Sequence, residues 1–211
     1  MRRFAFALAM VLAACGDPPS PVGPTDELVT PPLFQAAYRV DAEMFPESGG
    51  AGLPLVMVRD GDRTRMEITT PESGRVVVIS AAGESYLIRE LLGLYDVIRI
   101  APGAAPQPPD VAWTAPGVRV RRTGDCRVAS ETGGMFESTD PVTGQRGVAC
   151  ISSDGVMLEA RENGRLVWRA SRVLRGPQDP AQFTPPPGAA ILDAEGLAAN
   201  ADTALQGLQA R

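Results

Sequence analysis

The sequence contains no histidine, its basic residues include no lysine, and aromatic side chains make up only 5% of its 211 residues. Without histidine there is no imidazole base, no Ser-His-Asp or Cys-His arrangement, and almost no zinc site of ordinary composition. Paired carboxylates remain as a route to acid–base catalysis, yet no acidic pair stands apart from those of solvated strand edges and turns. The reading is noncatalytic, with no catalytic residue, metal ligand or cofactor assigned. All 20 basic residues are arginine, a usage that beside abundant Ala, Gly and Pro fits a GC-rich genome.

What is present begins at the N-terminus. Arg2 and Arg3 precede an unbroken apolar run from Phe4 to Ala14, which ends in Leu12-Ala13-Ala14-Cys15. A basic start, a short apolar stretch and small residues make a secretory signal, and the run is too short to span a bilayer as a helix. The cysteine directly after the small residues resembles a bacterial lipobox. That resemblance implies acylation of Cys15, cleavage before it, and a mature chain anchored to a membrane by its lipid. The alternative is an ordinary signal with a chance cysteine, against which the basic start, run length, Ala-Ala pair and cysteine position all agree. Each buried methylene contributes about 0.8 kcal/mol, so two or three acyl chains hold a protein almost permanently. Gly16 after the cysteine favours the outer membrane over inner-membrane retention, with the domain facing the periplasm.

Removing residues 1–14 leaves enough chain for one domain with a real core. It also removes two arginines, so the mature side-chain balance is 18 − 25 = −7. A chain of that sign is not drawn to nucleic acid or to an anionic leaflet, both of which need a basic face. Cys126 and Cys150 remain. An even pair in an exported chain reads as a disulfide, worth about 3 kcal/mol for a loop of about 25 residues. A redox pair would more often lie close in sequence.

The domain organisation follows from composition. Residues 15–33 are the lipidated N-terminus and a Pro-rich tether, and 34–191 are an antiparallel β domain. Residues 192–211 are an Ala-rich tail or weak helix, with Asp193 as its possible cap. Tyr38 to Met44 alternates strictly. Leu55–Val58, Arg65–Ile68, Arg75–Ser80 and Tyr86–Ile88 follow as further strands of a meander, with Asp60-Gly61-Asp62 and Gly83 at turns. Leu91–Ile100 fits a short helix or another strand. Ala101–Asp110 is a loop of the length that often covers an opening. Val118–Arg121 alternates with arginines on one face, which suits an anion or simply solvent. Asp154-Gly155 and Asn163-Gly164 signal hairpins between Val148–Ser152, Val156–Ala160 and Leu166–Leu174. In the last strand, Leu166, Trp168, Ala170 and Arg172 are expected on one face.

The run Ala149-Cys150-Ile151-Ser152-Ser153-Asp154-Gly155-Val156-Met157-Leu158, then Arg172 to Arg175 and Gln178 to Gly188, resembles proteobacterial exported lipoprotein families of unknown function in the LolA/LppX-like superfamily. The resemblance implies a mainly β fold, a curved antiparallel sheet forming an open half-barrel. Helices cover the concave face in that superfamily, but here few are evident. Several members bind acyl chains or carry lipoproteins. An anchored chain differs from a free shuttle such as LolA, leaving an anchored carrier of LolB or LppX type.

Two functions follow as expectations. One is a lipid or other apolar ligand in the half-barrel, where Tyr38, Val40, Met44, Met66, Ile68, Tyr86 and Ile88 form either a lining or simply the core. The other is a structural or accessory envelope lipoprotein that holds a protein partner and has no ligand cavity. A filled face favours the second, and a lined cavity the first.

Overall fold

The computed structural model describes residues 28–70, 74–91, 94–101, 104 and 108–193. The expected acylation site at Cys15 and most of the Ala-rich tail lie outside them. Among the described residues no helix is long and apolar enough to cross a membrane.

Among the described residues, twelve strands form one curved, open sheet that does not close into a barrel. The first meander contains β1 (Tyr38–Met44), β2 (Leu53–Asp60), β3 (Arg63–Thr70), β4 (Gly74–Ala81), β5 (Glu84–Leu91) and β6 (Leu94–Ile100). The second contains β7 (Arg119–Val128), β8 (Glu131–Thr139), β9 (Arg146–Ser152), β10 (Met157–Glu162) and β11 (Arg165–Arg175). Antiparallel pairing of β1 with β11 joins them, and the two-residue β12 (Ile191–Leu192) adds in parallel to β6. The ambiguous stretch after Leu91 is a strand because Val97 is needed in the sheet: it pairs with Ile88 and is fully buried.

Pairing decides which side chains share a face. Val40, Met57, Met66 and Val78 lie in one cross-strand row, and Ala42, Leu55 and Ile68 in another on the same face. Tyr86 and Ile88 were expected with Tyr38, but they face the other way. They register with Ile79 and Val77 and pack with Val58, Val97 and Phe183. The reason is that Tyr86-Leu87-Ile88 is apolar throughout, so alternation alone cannot choose its inward residue.

The main apolar face continues across the second meander through Phe136, Ala149, Ala160, Trp168 and Ala170. Chain without regular structure covers it. Residues 28–36 cross it as a strap, with Leu33 buried and Val29 and Phe34 packed against the core. The connection from β6 to β7 contributes buried Asp110 and Trp113, the latter in a 3₁₀ turn at Val111–Thr114. Gly155 permits the strap's approach, since a Cβ there would lie 1.9 Å from the Pro32 carbonyl oxygen. Outside the first meander, residues 176–189 bring down Phe183 from a 3₁₀ turn at Pro180–Phe183. Proline opens that turn, and the Asp179 carboxylate accepts from the Ala181 N–H.

Two features lack a counterpart in the sequence reading. β8 carries no strand signal at its start, because Glu131-Thr132-Gly133-Gly134 has the composition of a turn. It is where the sheet folds sharply. Cys126 and Cys150 come from β7 and β9, with β8 between them, yet their Cα atoms are 5.9 Å apart. Two strand spacings in a flat sheet would be about 9–10 Å. A Cβ on Gly133 would lie 2.4 Å from the Ile151 carbonyl oxygen, so only glycine allows that approach. The second feature is a pair of register shifts along β11. They leave Trp168 and Ala170 on the main face but pair Leu166 with Arg161 and Arg172 with Asp41, on the opposite side. The expected four-residue face is therefore two residues long, because each bulge reverses the alternation.

Candidate functional site

The one buried charged cluster among the described residues lies under the covering segments. Arg59, on β2, is 6% exposed and Asp110 is 1% exposed. Arg59 Nη2 donates to Asp110 Oδ2 at 3.1 Å and to Oδ1 at 3.3 Å, while Tyr38 Oη donates to Oδ2 at 3.4 Å. The Phe34 ring of the strap stacks on the same guanidinium, 4.3 Å from its centroid. One arginine thus contacts both covers.

Burial pushes the Asp110 carboxyl above the ordinary aspartate range, with Arg59 and Tyr38 pulling it partly back. The Tyr38 hydroxyl is likewise pushed well above its usual range, first by burial and then by the nearby carboxylate. Arg59 Nε is buried without a hydrogen-bond partner. This arrangement ties the strap and the β6–β7 connection to β2.

Of the residues considered for a ligand lining, Tyr38, Val40 and Met66 are buried on the main face, with Met44 and Ile68 packed beside them. Tyr86 and Ile88 belong to the opposite cluster. Val40, Met57 and Met66 line none of four grooves found among the described residues, although Ala42, Leu55, Phe136 and Ile151 of the same cluster reach the edge of two of them. The first of these, about 730 Å³, is open and bordered by Leu28, Arg119, Arg121, Glu137, Thr139 and Arg146. A second, about 520 Å³, opens beside the strap on the main face, between Pro32, Phe136 and Ile151 on one side and Arg122 and Asp125 on the other. The sequence could not foresee the Arg59–Asp110 contact, which joins residues 51 positions apart. Its only signal was an arginine at an inward position of an otherwise apolar strand.

Outside the first meander, charges form ladders. Against desolvation, which raises it, hydrogen bonds from Arg75 and Arg65 hold the Glu67 carboxyl below its ordinary range. At the other end of the strands Arg175 bridges Asp154 and Glu131. Cys126 and Cys150 are joined as a disulfide.

No family model and no curated protein matches this sequence. Among solved structures, the chain resembles one from the MucA/MucB complex of Pseudomonas aeruginosa, with 15% identity and a TM-score of 0.48, over 72% of this chain and 56% of that one. A structure of MucB in complex with MucA(peri) gives 16% identity and a TM-score of 0.47, over 73% and 56%. PNGF-II gives 12% identity and a TM-score of 0.45, over 77% and 32%. The chain therefore spans little more than half of the first matched chains and about a third of PNGF-II.

Proposed function

We propose that this protein is a noncatalytic, lipid-anchored accessory protein of the bacterial envelope that faces the periplasm from the outer membrane and acts by holding a protein partner. The observation that carries this reading is the occupation of the main apolar face by the chain itself. Leu33, Phe34 and Trp113 pack there, and Asp110 is held to Arg59 beneath them. A carrier would keep that face for its cargo. Binding surface remains on the outer side, where open grooves are edged by charged and polar groups, as in the rim of a protein interface. The anchor at Cys15 and the oxidising compartment that suits Cys126–Cys150 support the location.

The test separates partner from cargo. Native mass spectrometry of the protein without residues 1–15, purified from a periplasmic extract, should show the bare polypeptide mass, and a fluorescent fatty acid should not bind. Reversible crosslinking in intact cells should recover one envelope protein consistently. Copurifying lipid at one-to-one stoichiometry would instead establish the carrier function. Intact mass of the full-length protein should show acyl chains on Cys15, and Cys15→Ala should release the protein from membranes.

A further inference from the structure

The acidic balance of the chain conceals a local excess of positive charge. Most arginines among the described residues are paired with a carboxylate, including Arg39, Arg75, Arg121 and Arg169. Arg119, Arg127, Arg146 and Arg172 lack such a partner, and two of these stand together. β-Pairing places Arg119 opposite Thr139, and Thr139 opposite Arg146, in one row across β7, β8 and β9. All three are exposed, on the same face, and border the groove of about 730 Å³.

Adjacent side chains in such a row start about 5 Å apart, so the two arginines flank the Thr139 hydroxyl and are long enough to converge above it. Two acidic residues near the row have other partners. Glu137, one row further along the same face, accepts two hydrogen bonds from Arg121 at 3.1 and 2.6 Å. Asp140 accepts the backbone N–H groups of Val142 and Thr143 in the turn after β8.

We propose that Arg119, Thr139 and Arg146 form a binding site for an oxyanion of the phosphate class. Two planar guanidiniums offer paired N–H donors that match phosphate oxygens, and the threonine hydroxyl adds a third donor group between them. The phosphate has two possible sources, a soluble phosphorylated compound or a lipid headgroup. Leu28 borders the same groove. Twelve residues lie between it and Cys15, a reach of about 45 Å when extended. If Cys15 is acylated as proposed above, the groove lies at the root of the tether and within reach of headgroups.

The experiment follows the arginine Nε–Hε NMR signals of the full-length protein in neutral detergent, assigned with Arg119→Gln and Arg146→Gln. Inorganic phosphate should shift both signals saturably, whereas chloride at equal ionic strength should not. Arg119→Gln should weaken the response read at Arg146 by about tenfold, the effect of losing one charge-assisted contact. Thr139→Val should weaken it several-fold, with the amide spectrum unchanged in each variant. Equal shifts in phosphatidylglycerol bicelles without added phosphate identify a headgroup as the source, and a response to soluble phosphate alone identifies a soluble compound. Either outcome supports the site. A non-saturating response, one matched by chloride, or an Arg146 signal indifferent to Arg119→Gln would overturn it. Intact mass at Cys15 reports separately on the anchor.

Discussion

In the first meander the chain packs against both faces of the sheet, whereas in the second it covers one face and draws strands together with a disulfide. β4 has buried residues pointing both ways, Val78 toward the main core and Val77 and Ile79 toward Phe183. β7 has Val120 on the main face and Arg119 and Arg121 on the other. The second meander therefore has less apolar surface to bury. At about 3 kcal/mol, its disulfide is worth one or two buried aliphatic side chains, so covalent closure substitutes for a second hydrophobic layer. The same economy leaves the arginine-bearing face exposed to solvent.

The comparison is most severely tested where the covers of the two meanders meet. Arg59→Met should cost about 4 kcal/mol, because it leaves Asp110 buried without its partner. Pairing it with Asp110→Leu should recover most of the loss. Hydrogen exchange should show the Arg59→Met variant losing protection both at the Val29 N–H, which bonds the Val120 carbonyl, and at the Trp113 N–H. Loss at only one would mean that the strap and the connection are held independently.

Phe183→Ala should cost about 3 kcal/mol by emptying the outer cluster. Its increased exchange should be confined to β2, β3, β4, β5 and β6, and spread into β8 would break the proposed division. The double variant Cys126→Ala, Cys150→Ala should cost about 2–3 kcal/mol, with faster exchange in β7, β8 and β9. Denaturant melts of the two variants side by side would compare hydrophobic with covalent closure directly.

The smallest effect is electrostatic. The Glu67 carboxyl is held below its usual range in the folded chain, so its contribution is present above the unfolded-state pKa, about 4.3, and is lost as pH falls through the folded value. Asp110 has the opposite sign: its raised folded pKa favours the fold below about 3.9 and loses that contribution as pH rises through the folded value. Glu67→Gln should therefore flatten the acid side of a stability-against-pH curve by less than about 1 kcal/mol. A curve of unchanged shape would show that the Arg65–Glu67–Arg75 ladder does not couple protonation to folding.

Much of the strand order was legible because the first meander is local. Alternation from Tyr38 to Met44 and turn residues at Gly61 and Gly83 specify consecutive hairpins without distant information. The same cues worked around Asn163-Gly164. They failed at Gly133-Gly134, where glycines that look like a turn allow close packing inside a strand, and in β11, where bulges reverse faces without a residue-level marker. The candidate site was less legible than the fold. Arg119 and Arg121 were visible as a row, but Arg146 joins it only through β8, and Asp110 meets Arg59 only through the strap and connection.

By itself the sequence determined the chemistry available: no imidazole, a short apolar run followed by Cys15, one further pair of cysteines, and a mainly antiparallel β chain. These follow from residue identity and local periodicity. Tertiary structure decided which apolar face is filled, which arginines find carboxylates, and which two flank the Thr139 hydroxyl. Those outcomes depend on contacts between residues far apart in the chain, and local pattern cannot encode them.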